Sequence, residues 1–428
     1  MTRMKESGID WIGQIPEEWY LGKVKFFSKI SAGATPDRNN IFFWNGDINW
    51  MSSGEVNQEV VTHTAETITT LALKRTSTKL LPIGTVMLAL NGQGKTKGTA
   101  AVLAIETASN QSLASFIVDD ARVNNIYLYY FLKANYSNIR GLKGEDRDGL
   151  NLQLVSNIII PLLDIKEQKK IADFLDKKTS QLDKAKSLLE EQIQKLKDYR
   201  ASLIYETVTK GLDKTVPMKD SGIDWIGQVP QGWGVKRLKD YVDFQTGTTP
   251  PQSIGVNQEG KGVSWFKPGD FSDESIDLTS AENYITSEVV NQQKLSVYPE
   301  KTILVVGIAS IGKVGYSENH SYSNQQITAL KVTGQIFPKY LAYLMFSSGQ
   351  YIRETALYTI VPIINNQYLS SLKIVLPNRV VQETIVEYLD KKIGQINKMI
   401  VIKNEQIKNI NKQRQTLIYE YVTGKRRV

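Results

Sequence analysis

Leu175-Asp-Lys-Lys-Thr-Ser-Gln-Leu182-Asp-Lys-Ala-Lys-Ser-Leu-Leu189-Glu-Glu-Gln-Ile-Gln-Lys-Leu196-Lys-Asp-Tyr-Arg-Ala-Ser-Leu203 places a leucine at every seventh position. The stretch lies in a segment, 164–210, without Pro or Gly. A seven-residue apolar repeat keeps one stripe of a helix turned towards a partner helix. At 1.5 Å per residue, such a segment makes a rod of about 70 Å, longer than one domain of ordinary size needs. The rod therefore serves two globular parts, and working outward from it shows what they are.

The rod is written twice. Leu175-Asp-Lys-Lys178 returns as Leu389-Asp-Lys-Lys392, and Leu203-Ile-Tyr-Glu206 as Leu417-Ile-Tyr-Glu420. The offset of 214 also relates Met4-Lys-Glu-Ser-Gly-Ile-Asp-Trp11-Ile-Gly-Gln-Ile-Pro-Glu-Glu-Trp19 to Met218-Lys-Asp-Ser-Gly-Ile-Asp-Trp225-Ile-Gly-Gln-Val-Pro-Gln-Gly-Trp233. Gly33-Ala-Thr35-Pro36 matches Gly247-Thr-Thr249-Pro250, and Asn110-Gln111 matches Asn324-Gln325. The ends of the repeat are nearly identical, while the middles share only a skeleton. Internal repetition of this kind decides the architecture before any single motif does. Two related domains with different surfaces are expected.

We expect an α+β fold of two pseudo-symmetric domains separated by an antiparallel coiled coil of two long helices. The divisions are 1–163, 164–212, 213–377 and 378–428. The seam is carried by Leu175, Leu182, Leu189, Leu196 and Leu203 on one rod, and by Leu389, Ile396, Ile400, Ile407, Ile410 and Leu417 on the other. Gln192 and Gln406 sit beside it, where a polar side chain fixes register at some cost in stability. Asp164 and Glu167 have capping-box spacing at the first rod's start. Apolar runs at 85–90, 100–105, 302–306 and 372–376 read as strands, and 126–135 and 338–347 as short amphipathic helices.

Composition narrows the chemistry. The chain has 428 residues, no Cys and two His, at net charge +8. Disulfides, thiol nucleophiles and Cys-bound zinc are excluded, and two histidines that do not correspond in the repeat argue against a His-ligated metal. No apolar leader or membrane-length run is evident, so cytoplasm is the expected compartment and no membrane partner is expected. The positive excess lies in the rods, with 11 basic against 5 acidic residues in 378–428. Leu88-Ala-Leu-Asn-Gly-Gln-Gly94-Lys95-Thr96 resembles the end of a phosphate loop, but Ala89 stands where that loop needs glycine. No active site is expected, no metal, and no cofactor in this chain.

Binding is a better expectation than catalysis. From Ile68 to Ile105 there is no acidic residue, while Lys74, Arg75, Lys79, Lys95 and Lys97 are present. Residues 301–353 repeat the pattern with Lys313 and Lys331 and one acid, Glu318. Such cations contact phosphates, and amide or hydroxyl side chains in Gly-rich loops can reach base edges. Asn91, Gln93, Lys267 and Ser310 complete the candidate set. For any one of these a solvated basic face is the competing reading. Asn110-Gln111, Asn324-Gln325 and the Gly-x-Thr-Pro turns read as structural, and the four repeated tryptophans as packing anchors.

In order and twice over, the Trp-containing opener, Gly-x-Thr-Pro, a Trp…Gly-Asp/Glu element (Trp50, Gly54, Glu55; Trp265, Gly269, Asp270), Asn-Gln, and Glu167-Gln168-x-x-Ile171-Ala-x-Phe-Leu175-Asp176 resemble the specificity (S) subunit of type I restriction–modification systems. The second copy departs modestly, with Val381 and Tyr388 in place of Glu167 and Phe174. The resemblance implies two target recognition domains, each binding one half of a bipartite, asymmetric site in double-stranded DNA, with the paired helices setting the spacer. It implies docking of two methyltransferase (M) subunits that bind S-adenosylmethionine and methylate adenine N6. Restriction (R) subunits would add ATP- and magnesium-dependent translocation and cleavage. Two other classes compete. A self-contained enzyme would transfer methyl groups without M. A coiled-coil scaffold without direct DNA recognition would have no reason to keep its rods alike while the middles diverge.

Overall fold

In a computed structural model the described residues are 3–142, 149–250, 256–356 and 363–428. The chain forms two compact units, 1–188 with 405–428, and 189–404. These units cut across the four consecutive segments read from the sequence, because each long helix gives one half to each unit.

The helices form where the leucine pattern requires. The first runs over Ile165–Lys210, with Asp164 Oδ1 accepting the Lys166 N–H at 2.8 Å. The second runs over Arg379–Val422, with Asn378 Oδ1 accepting the Val381 N–H at 3.0 Å. Each cap satisfies an N–H that the first turn leaves without an intrahelical acceptor. Among the described residues no helix is long and apolar enough to cross a membrane.

In unit 1 the two helices run antiparallel: the Phe174 and Tyr421 rings lie 4.6 Å apart, and Arg414 meets Asp183. Unit 2 shows the same register, with Lys403 donating to Gln192 and Arg200 to Asn397, both at 2.6 Å. Leu175, Leu389 and Ile396 are buried, while Leu182, Leu189, Leu196, Leu203, Ile400, Ile407, Ile410 and Leu417 are half-buried. A two-helix ribbon covers only one side of its seam, so partial exposure is its natural state. At the C-terminal ends the buried apolar residues include Ile204 and Val208, and Ile418 and Val422, four apart. There each helix faces a domain core, and the wider 3.6-residue stripe of a globular helix replaces the heptad.

The sheets repeat as well. Unit 1 has a five-stranded sheet in the order Ser28–Ala32, Leu113–Val118, Val86–Ala89, Ala100–Leu103, Val60–Val61, antiparallel except for its last pair. Unit 2 keeps its first four members as Val242–Thr246, Ile327–Val332, Thr302–Val306 and Val314–Ser317. A smaller sheet accompanies each, containing Trp44–Met51 in one and Val263–Phe266 in the other. The helices Asn125–Ala134 and Pro338–Ser347 join the main cores.

Two polar devices recur at corresponding positions. Tyr127 Oη donates to the Val422 and Pro161 carbonyls, at 3.0 and 3.2 Å, and Tyr340 Oη to those of Val208 and Val375 at the same distances. Gln168 Oε1 accepts the Asn124 N–H at 2.9 Å, and Gln382 Oε1 that of Phe337 at 2.7 Å. Lys425 donates to Ile12 O at 2.6 Å, which ties the end of the second helix to the opening segment within unit 1. Trp19 in unit 1 and Trp233 in unit 2 are buried beside Gly424 and Gly211 respectively, which adopt φ of +73° and +71°. Glycine ends a helix in that conformation at no steric cost.

Candidate nucleic-acid interface

The cations read from the sequence do not form one patch. Lys74 and Arg75 end the short helix Thr70–Arg75, which packs on the small sheet of unit 1 and is capped by Thr69 accepting the Ala72 N–H. Both are exposed, as is Lys79, and none of the three has an ion-pair partner among the described residues. Lys95 is elsewhere in unit 1, lining a cavity of about 740 Å³ with Lys133, Asn411, Arg414 and Gln415. Its loop, which includes exposed Asn91 and Gln93, is held by Arg140 donating to Gly94 O at 2.6 Å and Tyr136 to Lys95 O at 2.9 Å.

Lys97 does not fit the expectation of a phosphate contact. It is 3 % exposed, in a loop whose next residue, Gly98, returns to the sheet by donating its N–H to Ala89 O at 2.8 Å. Lys313 is a second correction. Its ammonium pairs with Asp273 at 2.9 Å and approaches Phe271 O at 3.4 Å, so its charge is spent within unit 2. Lys331 lies in a strand directly across from Asp243. Lys267 lies over the Trp265 ring at 4.5 Å, and Ser310 is exposed beside Ala309, whose φ is +65°. Unit 2 therefore offers an aromatic-backed lysine and a hydroxyl loop where unit 1 offers free cations.

The Gly-x-Thr-Pro and Asn-Gln elements meet, in the same way in both units. Ala34 N donates to Ser109 O at 2.8 Å and Thr248 N to Ser323 O at 3.0 Å. Thr35 Oγ1 donates to Gln111 Oε1 at 2.5 Å, and Thr249 makes the same bond to Gln325. A Cβ on Gly33 would stand 2.0 Å from Ser109 O, and on Gly247 2.3 Å from Asn324 O. The structural reading of these elements accounts for the glycines, and leaves the exposed Thr–Gln pair as a polar edge on each unit.

Sequence reasoning missed the groups that fasten each domain to the helices. Arg414 is bonded to Glu59 at 2.9 Å and to Asp183, with Lys133 also on Glu59. Arg200, 6 % exposed, donates to Glu274 at 3.1 Å and to Asn397 at 2.6 Å, with Lys197 on the same carboxylate at 2.6 Å. Burial opposes ionisation of Glu59, but Lys133 and Arg414 outweigh it and hold the carboxyl down at about 2. Burial lowers the Lys133 ammonium even so, since one carboxylate serves two cations. The signal was present: Arg200 and Arg414 are 214 apart, and Glu59 and Glu274 are 215 apart.

Comparisons with known proteins agree on one family. The profile described as "Type I restriction modification DNA specificity domain" matches residues 16–197 and again 230–409. The MjaIX specificity subunit of a type I restriction enzyme from Methanocaldococcus jannaschii is 25% identical over 331 residues, covering 71% of this chain and 68% of that one. Among solved structures, one reported for complex assembly and conformational transition of the type I R-M system has TM-score 0.76 at 16% identity, covering 95% and 98% of the two chains. The HsdS subunit from Thermoanaerobacter tengcongensis has TM-score 0.56 at 16% identity, covering 98% and 99%. At these identities the structures speak for the fold, while the doubled profile match speaks for the family: the chain belongs to the type I restriction–modification DNA specificity family, the specificity subunits of those systems.

Proposed function

We propose that this chain is the DNA-reading, non-catalytic member of a type I restriction–modification assembly in the cytoplasm. Each recognition domain takes one half of a bipartite, asymmetric duplex site, and the paired helices set the spacer. Two M subunits, carrying S-adenosylmethionine, dock on the sides of the helices turned away from the seam, and R subunits bring ATP and magnesium. The observation that carries this reading is one frame with two surfaces. The Tyr–carbonyl, Gln-cap, Thr–Gln and Arg–Glu devices recur in both units, whereas the exposed lobes differ: free Lys74 and Arg75 in one, Lys267 on Trp265 and a neutralised Lys313 in the other. A subunit that only assembled others would gain nothing from that divergence.

Sequencing of methylated adenines in host DNA, with and without the gene for this chain, tests the proposal. Two unlike half-sites at fixed spacing should disappear when the chain is removed. A motif that survives the removal would refute it, as would methyl transfer by the purified chain alone.

A further inference from the structure

Unit 1 exposes two large apolar side chains on a rigid support. Ile41–Phe43 form a 3₁₀ turn, with Ile41 76 % and Phe42 70 % exposed. Their backbone is pinned from several directions. Asn40 Oδ1 accepts the Phe42 N–H at 3.1 Å, Thr69 Oγ1 donates to Phe42 O at 2.8 Å, and Thr69 N donates to Phe43 O at 3.0 Å. Phe43 itself packs into the small cluster of Trp50, Ile68, Ala72 and Ala108. The turn is thus anchored by one aromatic and presents the other two side chains to solvent. The short helix Thr70–Arg75 packs against it and adds exposed Leu71, Lys74 and Arg75. Of the acids in this neighbourhood, Glu66 is taken by Arg38, Asp37 accepts the Asn39 N–H, and Asp47 is exposed on the adjoining strand.

We propose that Ile41 and Phe42 are an apolar wedge that enters the base stack of the half-site bound by unit 1, with Lys74 and Arg75 on the flanking phosphates. The inference rests on the DNA-reading function above. Apolar side chains flanked by cations are the arrangement with which proteins unstack a base step and hold the kinked duplex. The unpaired cations favour a polyanion over a protein surface as the occupant. The corresponding stretch of unit 2 is a strand, Val256–Asn257, and its short helix Ser287–Gln292 carries no Lys or Arg. Among the described residues unit 2 has no such turn, so deformation is expected at the unit 1 half-site, which should favour a flexible pyrimidine–purine step there.

The test uses the chain assembled with its methyltransferase, on duplexes carrying the site mapped by methylation sequencing and 2-aminopurine at successive positions. Away from the target adenine of each half-site, which a methyltransferase extrudes from the stack on its own account, the wild-type complex should raise 2-aminopurine fluorescence at one step of the unit 1 half-site and at none of the other. Phe42→Ala should abolish that rise and weaken binding about tenfold or more, with the salt slope unchanged. Replacing Lys74 and Arg75 by Ala should flatten the slope by about one unit per residue. Both Ile41 and Phe42 are exposed, so the thermal midpoint of Phe42→Ala should match wild type. Wild-type binding and fluorescence in Phe42→Ala would overturn the wedge while leaving DNA recognition intact. Loss of methyltransferase from the variant complex, with normal binding by what remains assembled, would make the occupant a protein and overturn it too. A wild-type complex without sequence-dependent binding would remove the underlying function itself.

Discussion

Glu59 is the carboxylate on which two cations of unit 1, Lys133 and Arg414, converge. It adopts φ of +62°, a region that non-glycine residues rarely occupy, and its carboxylate compensates both Lys133 and Arg414. Its folded pKa of about 2 lies below the ordinary carboxylate value of 4.5, so the carboxylate contributes stability above the unfolded value. That contribution should be lost as pH falls from about 4.5 towards about 2. Glu59→Gln should lower stability at neutral pH by about 1–2 kcal/mol, screening by solvent included, and flatten the acid limb in that window. Thermal midpoints of both proteins measured from pH 7 to pH 2 check this, and an unchanged acid limb would exclude Glu59 as its source. Arg200→Ala in unit 2 should cost more, about 2–3 kcal/mol in denaturant unfolding, since Arg200 is 6 % exposed and its loss leaves Asn397 without this donor, while Glu274 keeps only Lys197. An equal effect from Lys197→Ala, whose ammonium is more exposed, would show that burial is not what sets the cost.

Among the elements, the ones legible from residues alone were those with a period or a continuous apolar run. The rods and the helices Asn125–Ala134 and Pro338–Ser347 follow from spacings of seven and 3.6 residues, which local geometry imposes, while of the main-sheet strands only Val86–Ala89, Ala100–Leu103 and Thr302–Val306, each an unbroken apolar run, were read. What was not legible depends on partners remote in sequence. Glu59 lies 355 residues from Arg414, and nothing near Lys97 or Lys313 announces that one is folded inward and the other paired with Asp273. The exchange of Leu203 and Leu417 for Ile204 and Ile418 as the buried positions has the same origin, since the helix ends meet a domain core instead of another helix. Where backbone meets backbone, the requirement was visible as glycine but its reason was not. Gly33→Ala would place a Cβ 2.0 Å from Ser109 O, and should cost at least about 2 kcal/mol in denaturant unfolding. Gly54→Ala has open space around the same atom and should cost under about 1 kcal/mol. Equal effects at the two positions would mean that the close approach of Gly33 to Ser109 does not matter.

For the molecule as a whole, the division of each long helix between two units is the fact with consequences. Unit 1 is closed by the end of the second helix, through Tyr127 to Val422 O, and unit 2 by the end of the first, through Tyr340 to Val208 O. Neither unit therefore has all its core within one copy of the repeat, and separating the copies at 213 would take Ile418, Tyr421 and Val422 from the core of unit 1. The helices can be lengthened without touching these closures only between the domain-packed ends, which excludes insertion beside Leu203, a residue packed on the unit 2 core. Duplicating Glu190–Leu196 in the first helix and Val401–Ile407 in the second keeps the seven-residue stripe on both and leaves every contact to the two cores in place. The added rise is about 10 Å, which at about 3.4 Å per base pair allows the spacer to grow by at most about 3 base pairs. Methylation sequencing in cells carrying the doubly extended chain should find both half-sites unchanged and the spacer longer. Extending one helix alone should instead break the match of Gln192 to Lys403 and lower stability without yielding a new spacer. Altered half-sites with an unchanged spacer would mean that the paired helices do not measure the site at all.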